Sequence, residues 1–219
     1  MKTIIITGGL GYLGSHLTKK LINEGYKVII FDNFFTNTCS KIKGSKVIKC
    51  DITNYRNLNK IKLKNIHAVL HLAAQSSGPK SIEFPDLDVR LNILGTVNIL
   101  KYCKENKIKN FLFASSFTVY GDPIKSQILK EKDSCYPKSL YGISKHTCEQ
   151  YIKILCKKYS INWSIIRMFN VYGPGQDLSR RDQGIVSIYL SYIKEGNYLP
   201  IKGSLNRFRD LIYIDDVVD

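Results

Sequence analysis

Residues Thr3 to Leu21 constrain this chain more than any other stretch. The run Thr3-Ile4-Ile5-Ile6-Thr7 reads as a short strand buried on both faces. It passes without a linker into glycines at 8, 9, 11 and 14. From Tyr12 onward the apolar spacing is helical. A strand that stops at a glycine turn and feeds a helix gathers backbone N–H groups and the positive end of the helix dipole at one point, where a pyrophosphate can sit. Alone, Gly8-x-x-Gly11-x-x-Gly14 supports only a dinucleotide seat.

The next strand, Tyr26 to Phe31, closes on Asp32-Asn33. An acidic residue at that strand end, twenty-odd residues past the glycines, is placed to accept from ribose hydroxyls, while its charge repels a 2′-phosphate. NAD is therefore expected over NADP. Read only as a turn residue, Asp32 would need no such spacing. A third strand, Ser45 to Cys50, ends at Asp51-Ile52, within reach of an adenine ring. Thr53 to Asn65 reads as a short helix and its loop, and Ala68 to Ala74 as a fourth strand whose small residues let backbone approach a cofactor. His71 lies inside that strand and is expected to be a satisfied core histidine.

Gln75 to Pro85 reads as a polar loop at a strand's carboxyl end, where open α/β sheets bind ligands. A helix follows from Asp86 to Asn106, then a strand from Phe111 to Ser115, a polar loop bearing Pro123 and Pro137, and a helix from Leu140 to Tyr159. Trp163 to Phe169 reads as a strand and Asn170 to Gln176 as a turn-rich stretch. Gln183 to Glu195 reads as a helix, Leu199 to Ile201 and Asp210 to Ile214 as short strands. This alternation argues an α/β fold with a doubly wound parallel sheet and right-handed crossovers.

Composition narrows the function. The chain of 219 residues carries 33 Lys and Arg against 18 Asp and Glu, a formal charge of +15. The lysines are scattered rather than gathered in a block, so an anionic small-molecule substrate is expected ahead of nucleic acid. No apolar run of membrane-spanning length appears and no leader precedes the first strand, so a cytoplasmic location with no membrane partner is expected. The six cysteines, at 39, 50, 103, 135, 148 and 156, lack zinc or redox spacing. They are expected to be reduced thiols in or near the core, with no metal bound.

Tyr141-x-x-x-Lys145 places a phenol and an ammonium on one helix face. Drawing a phenol of pKa about 10 toward neutrality takes roughly 3 units, or about 4 kcal/mol, and Lys145 and an oxidised nicotinamide are the cations on hand to favour the phenolate. Tyr141 is the expected base. Ser116, just past the fifth strand, is placed to hydrogen-bond the same substrate hydroxyl. Each signal alone is weak, a helix by chance in one case and a turn or cap in the other. Their order along one chain with the glycine loop and Asp32 gives them meaning.

Taken together, Gly8-x-x-Gly11-x-x-Gly14, Asp32-Asn33, His71-Leu72-Ala73-Ala74, Ser115-Ser116 with Val119-Tyr120-Gly121, Tyr141-x-x-x-Lys145, Arg167-x-Phe169-Asn170-Val171-Tyr172-Gly173-Pro174-Gly175 and Arg209-Asp210-x-Ile212-Tyr213-x-Asp215-Asp216-Val217 resemble the extended short-chain dehydrogenase/reductases. Within them the likeness is greatest to the NAD-dependent nucleotide-sugar epimerase/dehydratase family, typified by UDP-glucose 4-epimerase. That resemblance implies an NAD-binding Rossmann domain over residues 1–170. It also implies an incomplete nucleotide-sugar region over 171–219, the beginning of a smaller substrate domain, including a strand returning to the core domain.

By the same resemblance Gly8, Gly11, Tyr12, Leu13, Gly14, Asp32, Asn33, Asp51, Ile52, Leu72, Ala73, Ala74, Asn92, Tyr141 and Lys145 would contact NAD. Ser116, Tyr141 and Lys145 would be catalytic, and Ser116, Asn170 and Arg209 would hold a nucleotide-diphosphate sugar. Homodimers in the family form through the helices that begin here near Asp86 and Leu140. Family dehydratases carry an Asp-Glu pair after the residue matching Ser116, whereas this chain has Phe117-Thr118, so a 4-epimerase is expected ahead of a dehydratase or reductase. A non-catalytic NAD-binding protein is the reading from another class. The ending, Asp215 to Asp219, reads as the first turn of a helix with no room to form. The chain is thus expected to be truncated at its C-terminus, with little turnover of its own.

Overall fold

The computed structural model describes residues 1–35, 41–122, 128–201, 204–206 and 208–219. Cys39 and Pro123, named above, lie outside the described residues. The first strand, β1 (Thr3–Thr7), is central: it pairs in parallel with β2 (Lys27–Asp32) on one side and β4 (Ile66–His71) on the other. With β3 (Ser45–Lys49), β5 (Asn110–Ser116) and β6 (Asn162–Met168) the described residues form a six-stranded sheet ordered β3-β2-β1-β4-β5-β6. The order reverses between β1 and β4, the point at which such sheets bind ligands.

Alternation along the strands sends side chains to two cores. Ile5, Phe31, Val69, Phe111 and Phe113 face α5 (Gly95–Glu105) and α6 (Leu140–Tyr159), packing with Ile99, Tyr102 and Ile152. Ile4, Ile6, Val28 and Ile30 face α1 (Tyr12–Asn23) and its Leu17 and Leu21. Both faces of β1 are therefore apolar, and each fully buried Ile contributes about 1.5–3 kcal/mol. The buried cysteines at 50, 103, 148 and 156 and the partly buried Cys135 are free thiols. No helix among the described residues is long and apolar enough to cross a membrane.

Seven expectations need correction. The stretch Gln75 to Pro85 contains a helix, α3 (Gly78–Glu83), because Ser77 caps it through the Lys80 N–H and Pro79 sits in its first turn, where a missing N–H costs nothing. Past α2 (Tyr55–Leu58), the helix expected over Asp86 to Asn106 is three pieces: α4 (Pro85–Asp88), a π-helical stretch (Val89–Leu94) and α5. The π-helical residues lead into Gly95, which is packed so closely on Ile52 that a β-carbon would overlap it. Asn170 to Gln176 opens with a strand, β7 (Asn170–Tyr172), and α7 (Ile185–Lys194) starts later than Gln183, after Gly184 at φ 80°. Leu199 to Ile201 forms no strand, having no partner to pair with.

The last two corrections concern the end of the chain. β8 (Leu211–Tyr213) pairs with β7 in a two-stranded parallel sheet of its own rather than rejoining the main sheet. What returns to the core domain is a five-residue helix, α8 (Ile214–Val218), which does form. Ile214 is fully buried and Asp219 pairs with Lys20 of α1, so tertiary contact covers the cost of nucleating one turn.

Candidate active site

The glycine loop is built by close contact. Gly8 adopts φ 68° and donates its N–H to Phe31 O at 2.8 Å, tying the turn to the end of β2. A β-carbon on Gly8 would press on the Ala73 backbone, and one on Gly14 would collide with the Gly8 carbonyl. Gly11 begins α1 without a side-chain cap, so the first-turn N–H groups face the cavity, where an anion suits them. The Tyr12 hydroxyl is buried with no hydrogen-bond partner among the described residues.

At the end of β2, Asp32 is 8% exposed. Its Oδ2 accepts from Leu10 N at 3.1 Å and its Oδ1 from Phe34 N at 2.9 Å. A carboxylate offers about four lone-pair sites, so these two bonds do not exhaust its capacity to accept. Behind β4, the Thr7 hydroxyl accepts from Leu72 N and Ala73 N, both at 3.1 Å, and lies 2.6 Å from His71 Nδ1. His71 Nε2 lies 3.1 Å from Thr96 Oγ1. His71 is thus a satisfied core histidine, and burial pushes its pKa down to about 3.

Tyr141, Lys145 and Ser116 meet across the same cavity, of about 510 Å³. Ser139 caps α6 through the Gly142 N–H at 3.0 Å, and Tyr141 N donates to Ser81 Oγ of α3 at 3.1 Å. Lys145, 3% exposed, donates to Ala114 O at 2.8 Å. Its Nζ is 4.7 Å from the Phe113 ring centre and 5.8 Å from that of Tyr141. Burial lowers the Lys145 ammonium to about 8. Burial likewise pushes the Tyr141 phenol up to about 12, against a hydrogen bond from Ser116 that favours the phenolate. In the chain by itself burial outweighs that bond.

Of the residues singled out in the sequence, Gly8, Gly11, Tyr12, Leu13, Gly14, Asp32, Asn33, Ile52, Leu72, Ala73 and Ala74 line one part of this cavity. Ser116, Tyr141, Lys145 and Asn170 line the rest. Three residues lie outside its wall. Asp51 turns to its own loop, accepting from Thr53 N at 2.8 Å. Asn92 is 2% exposed and its amide is spent on Gln75, Asp88 and Ser144. Arg209 is exposed, with Nη1 3.1 Å from Phe208 O.

Sequence reasoning had Gln75 and Lys80 only as part of a ligand-facing loop and missed Arg180, Asp182 and Gln183, all on the cavity wall. They fasten the segment before α7 to the β4 loop: Ser76 Oγ donates to Gln183 Oε1 at 2.5 Å, Ser77 Oγ to Asp182 O at 3.1 Å, and Lys80 pairs with Asp182 at 3.4 Å. The position of the Gln75 loop at a strand end was a usable signal for part of this wall. Nothing local marked Arg180 to Gln183.

This shape fits a dinucleotide: a glycine cradle that a β-carbon would fill, an uncapped helix start and an acid at the end of β2. A family model described as the NAD dependent epimerase/dehydratase family matches residues 4–219. A Methanocaldococcus jannaschii protein with the provisional name UDP-glucose 4-epimerase is 38% identical over 216 residues, 98% of this chain and 70% of that protein. Among solved structures, Thermotoga maritima UDP-glucose 4-epimerase with UDP-glucose matches at a TM-score of 0.93 and 33% identity, over 99% of this chain and 71% of that one. Thermus thermophilus UDP-glucose 4-epimerase in complex with NAD matches at 0.90 and 29%, over 99% and 72%.

Proposed function

The chain belongs to the NAD dependent epimerase/dehydratase family, and from that premise we propose that it epimerises a nucleotide-diphosphate sugar at C4. The observation that carries this reading is the convergence of Ser116, Tyr141 and Lys145 on the cavity whose far wall is the glycine loop and Asp32. In this proposal residues 1–170 form the NAD-binding part and residues 171–219 the substrate-facing part, and the protein works in the cytoplasm.

NAD is the cofactor; Gly8 to Gly14 and Asp32 would hold it, and it would supply a reversible hydride acceptor. The residues of the chain move the proton. The Tyr141 phenolate takes the proton of the sugar 4-hydroxyl, and Ser116 holds that hydroxyl in line. Lys145 adds positive charge beside the phenol and so favours its deprotonation. Asp51 and Asn92 would act from outside the cavity wall, Asp51 next to Ile52 and Asn92 by holding Gln75. Asn170, with Nδ2 2.9 Å from Asp210 O, and Arg209 stand on the substrate side for the diphosphate. Loss of the C4 hydride to the acceptor would leave a 4-keto sugar; once it has turned over and the hydride has returned to its other face, the same phenol gives the proton back to the C4 oxygen.

Phe117 and Thr118 favour this over dehydration. Phe117 stacks on Phe169 at 5.3 Å and Thr118 Oγ1 lies 3.0 Å from Ser116 Oγ, leaving no acid at the positions that follow Ser116. We further propose a homodimer through the π-helical stretch and α6, supported by the exposure of Leu94, Ile143 and Ile154. Incubation with UDP-glucose and UDP-N-acetylglucosamine, followed by separation of the C4 epimers, tests the activity. Absence of any epimer, or a 4-keto-6-deoxy product, overturns it.

A further inference from the structure

Two cations on the cavity wall have no part in the chemistry proposed above. Arg180, between β7 and α7, and Lys80, on α3, both line the cavity, and both turn to one acid, Asp182. Arg180 meets it at two points, Nε to Oδ1 at 3.2 Å and Nη2 to Oδ2 at 2.9 Å. Lys80 Nζ lies 3.4 Å from Oδ2. The other acid of this stretch, Asp177, is taken up by its own turn, accepting from Ser179 N at 2.9 Å and from Ser179 Oγ at 2.7 Å. A pair of cations on the wall therefore shares a single carboxylate.

The donors are not exhausted by it. A guanidinium has more N–H groups than one carboxylate can engage, and among the described residues no acceptor meets Arg180 Nη1. The side chains of Arg180 and Asp182 are only 22% and 19% exposed, so solvent screens them less than it screens a surface pair. Burial works to raise the Asp182 carboxyl, but the bonds from Arg180, with Ser77 and Lys80 behind them, prevail and hold it down to about 2. Asp182 is thus a standing anion in a cationic corner.

Its carboxylate is not the only thing that fastens this segment. Ser77 Oγ donates to the Asp182 backbone carbonyl and Ser76 Oγ to the Gln183 side chain, and both bonds survive without the charge. Arg209, the arginine that the sequence offered for a diphosphate, lies exposed and outside the cavity wall. The arginine that does stand on the wall is Arg180.

We propose that Arg180 and Lys80 form an anion subsite for the diphosphate of the substrate, and that the Asp182 carboxylate is its resident occupant, displaced from the two cations when the diphosphate enters. The inference rests on the reading of this cavity as a nucleotide-diphosphate-sugar site. A diphosphate brings more charge and more acceptor oxygens than a carboxylate, and it presents them in the geometry that a guanidinium fork matches. Asp182 then sets the affinity: it keeps the fork aligned while the site is empty and weakens every anion that must replace it.

The experiment is calorimetric titration with UDP, with NAD in excess so that the glycine loop is not the site being read. It compares the native chain with Arg180→Gln and Asp182→Asn, whose side chains lie outside both cores. Arg180→Gln weakens UDP by about tenfold or more, the loss of a charge-assisted hydrogen bond. Asp182→Asn tightens UDP by about threefold or more, because the competing anion is gone. NAD affinity moves by less than about twofold in either variant. A native chain that binds no UDP, or a UDP affinity unmoved in Arg180→Gln, overturns the subsite. An affinity equal to or weaker than native in Asp182→Asn overturns the resident occupant. UDP affinities that shift as expected, with no epimer formed from any nucleotide sugar, leave this inference standing and count against the proposed function. Epimer formation with a UDP affinity indifferent to Arg180 does the reverse.

Discussion

Arg167 closes a two-point ion pair on Glu149, Nε to Oε1 at 3.0 Å and Nη2 to Oε2 at 2.7 Å, directly behind the strand that ends in Ser116. Ser115 Oγ donates to the same carboxylate at 2.6 Å, so β5, β6 and α6 are joined at one buried acid. Burial works to raise the Glu149 carboxyl, but the bonds from Arg167 and Ser115 prevail and hold it below its usual value.

Removing the cation alone should therefore hurt most. Arg167→Ala leaves a buried anion uncompensated and is expected to cost roughly 3–5 kcal/mol, read from urea unfolding. The pH dependence has a definite sign. The folded carboxyl titrates below the unfolded one, so the contribution is complete above about pH 4.3 and is lost as pH falls through the folded value. Native stability should drop on that acid limb, and Glu149→Gln should flatten it.

Lys145 has the opposite sign. The unfolded chain holds its proton to about pH 10.5, while the folded chain releases it near 8. Stability thus rises with pH across that window, and below it the full penalty of a buried ammonium applies. Lys145→Met is expected to stabilise the protein at pH 7 by about 1–3 kcal/mol while ending turnover, a trade of stability for function. A lower melting temperature than the native chain would contradict this.

For Tyr141 the prediction is kinetic. Tyr141→Phe should lower kcat by roughly 10²–10⁴ with little change in NAD affinity measured by calorimetry. A phenol that must lose its proton to act gives a rate that rises about tenfold per pH unit along the acid limb. A pH-independent rate would remove Tyr141 as the base.

The glycine cradle can be tested by filling it. A methyl group at position 14 meets the Gly8 carbonyl, which belongs to a fixed backbone. Gly14→Ala is expected to destabilise the chain by about 1–3 kcal/mol and to weaken NAD binding by more than about tenfold. Gly25→Ala, with open space around the new carbon but φ 84°, should leave NAD binding untouched.

The proposed dimer has its own test. Ile154 is 68% exposed on α6. Ile154→Glu should leave a monomer in sedimentation with the fold intact, whereas a native chain that already sediments as a monomer would refute the interface.

Much of this architecture was readable because its signals are local. The isoleucines of β1, the glycine spacing, Asp32 and the α6 pair each declare themselves within a few residues; the structure buries the isoleucines in the two cores and places the rest around one cavity. What escaped depends on partners far away in sequence. β7 is only three residues long and is a strand because Leu211–Tyr213 lies beside it. In Ser77-Gly78-Pro79 the turn-like composition hid a helix start, since the same residues that break helices also begin them. Asn92 was expected to contact NAD by resemblance, yet its partners, Gln75 and Ser144, become neighbours only when the sheet closes. The burial that raises the Tyr141 phenol is of the same kind, since it depends on elements remote in sequence. Spacing puts Lys145 on its face of the helix, but Ala114 O decides where the ammonium points.

The docking of α8 on α1 carries a consequence for the order of events on the ribosome. Ile214 packs against Gly173 near the Tyr12 hydroxyl, so part of the first-made loop is covered only by a residue made some two hundred positions later. At about 5–20 residues per second that interval lasts roughly 10–40 s. For that time the nascent chain has a Tyr12 side of the loop open to whatever small anions and chaperones the compartment offers, until a turn made some two hundred residues later packs beside it.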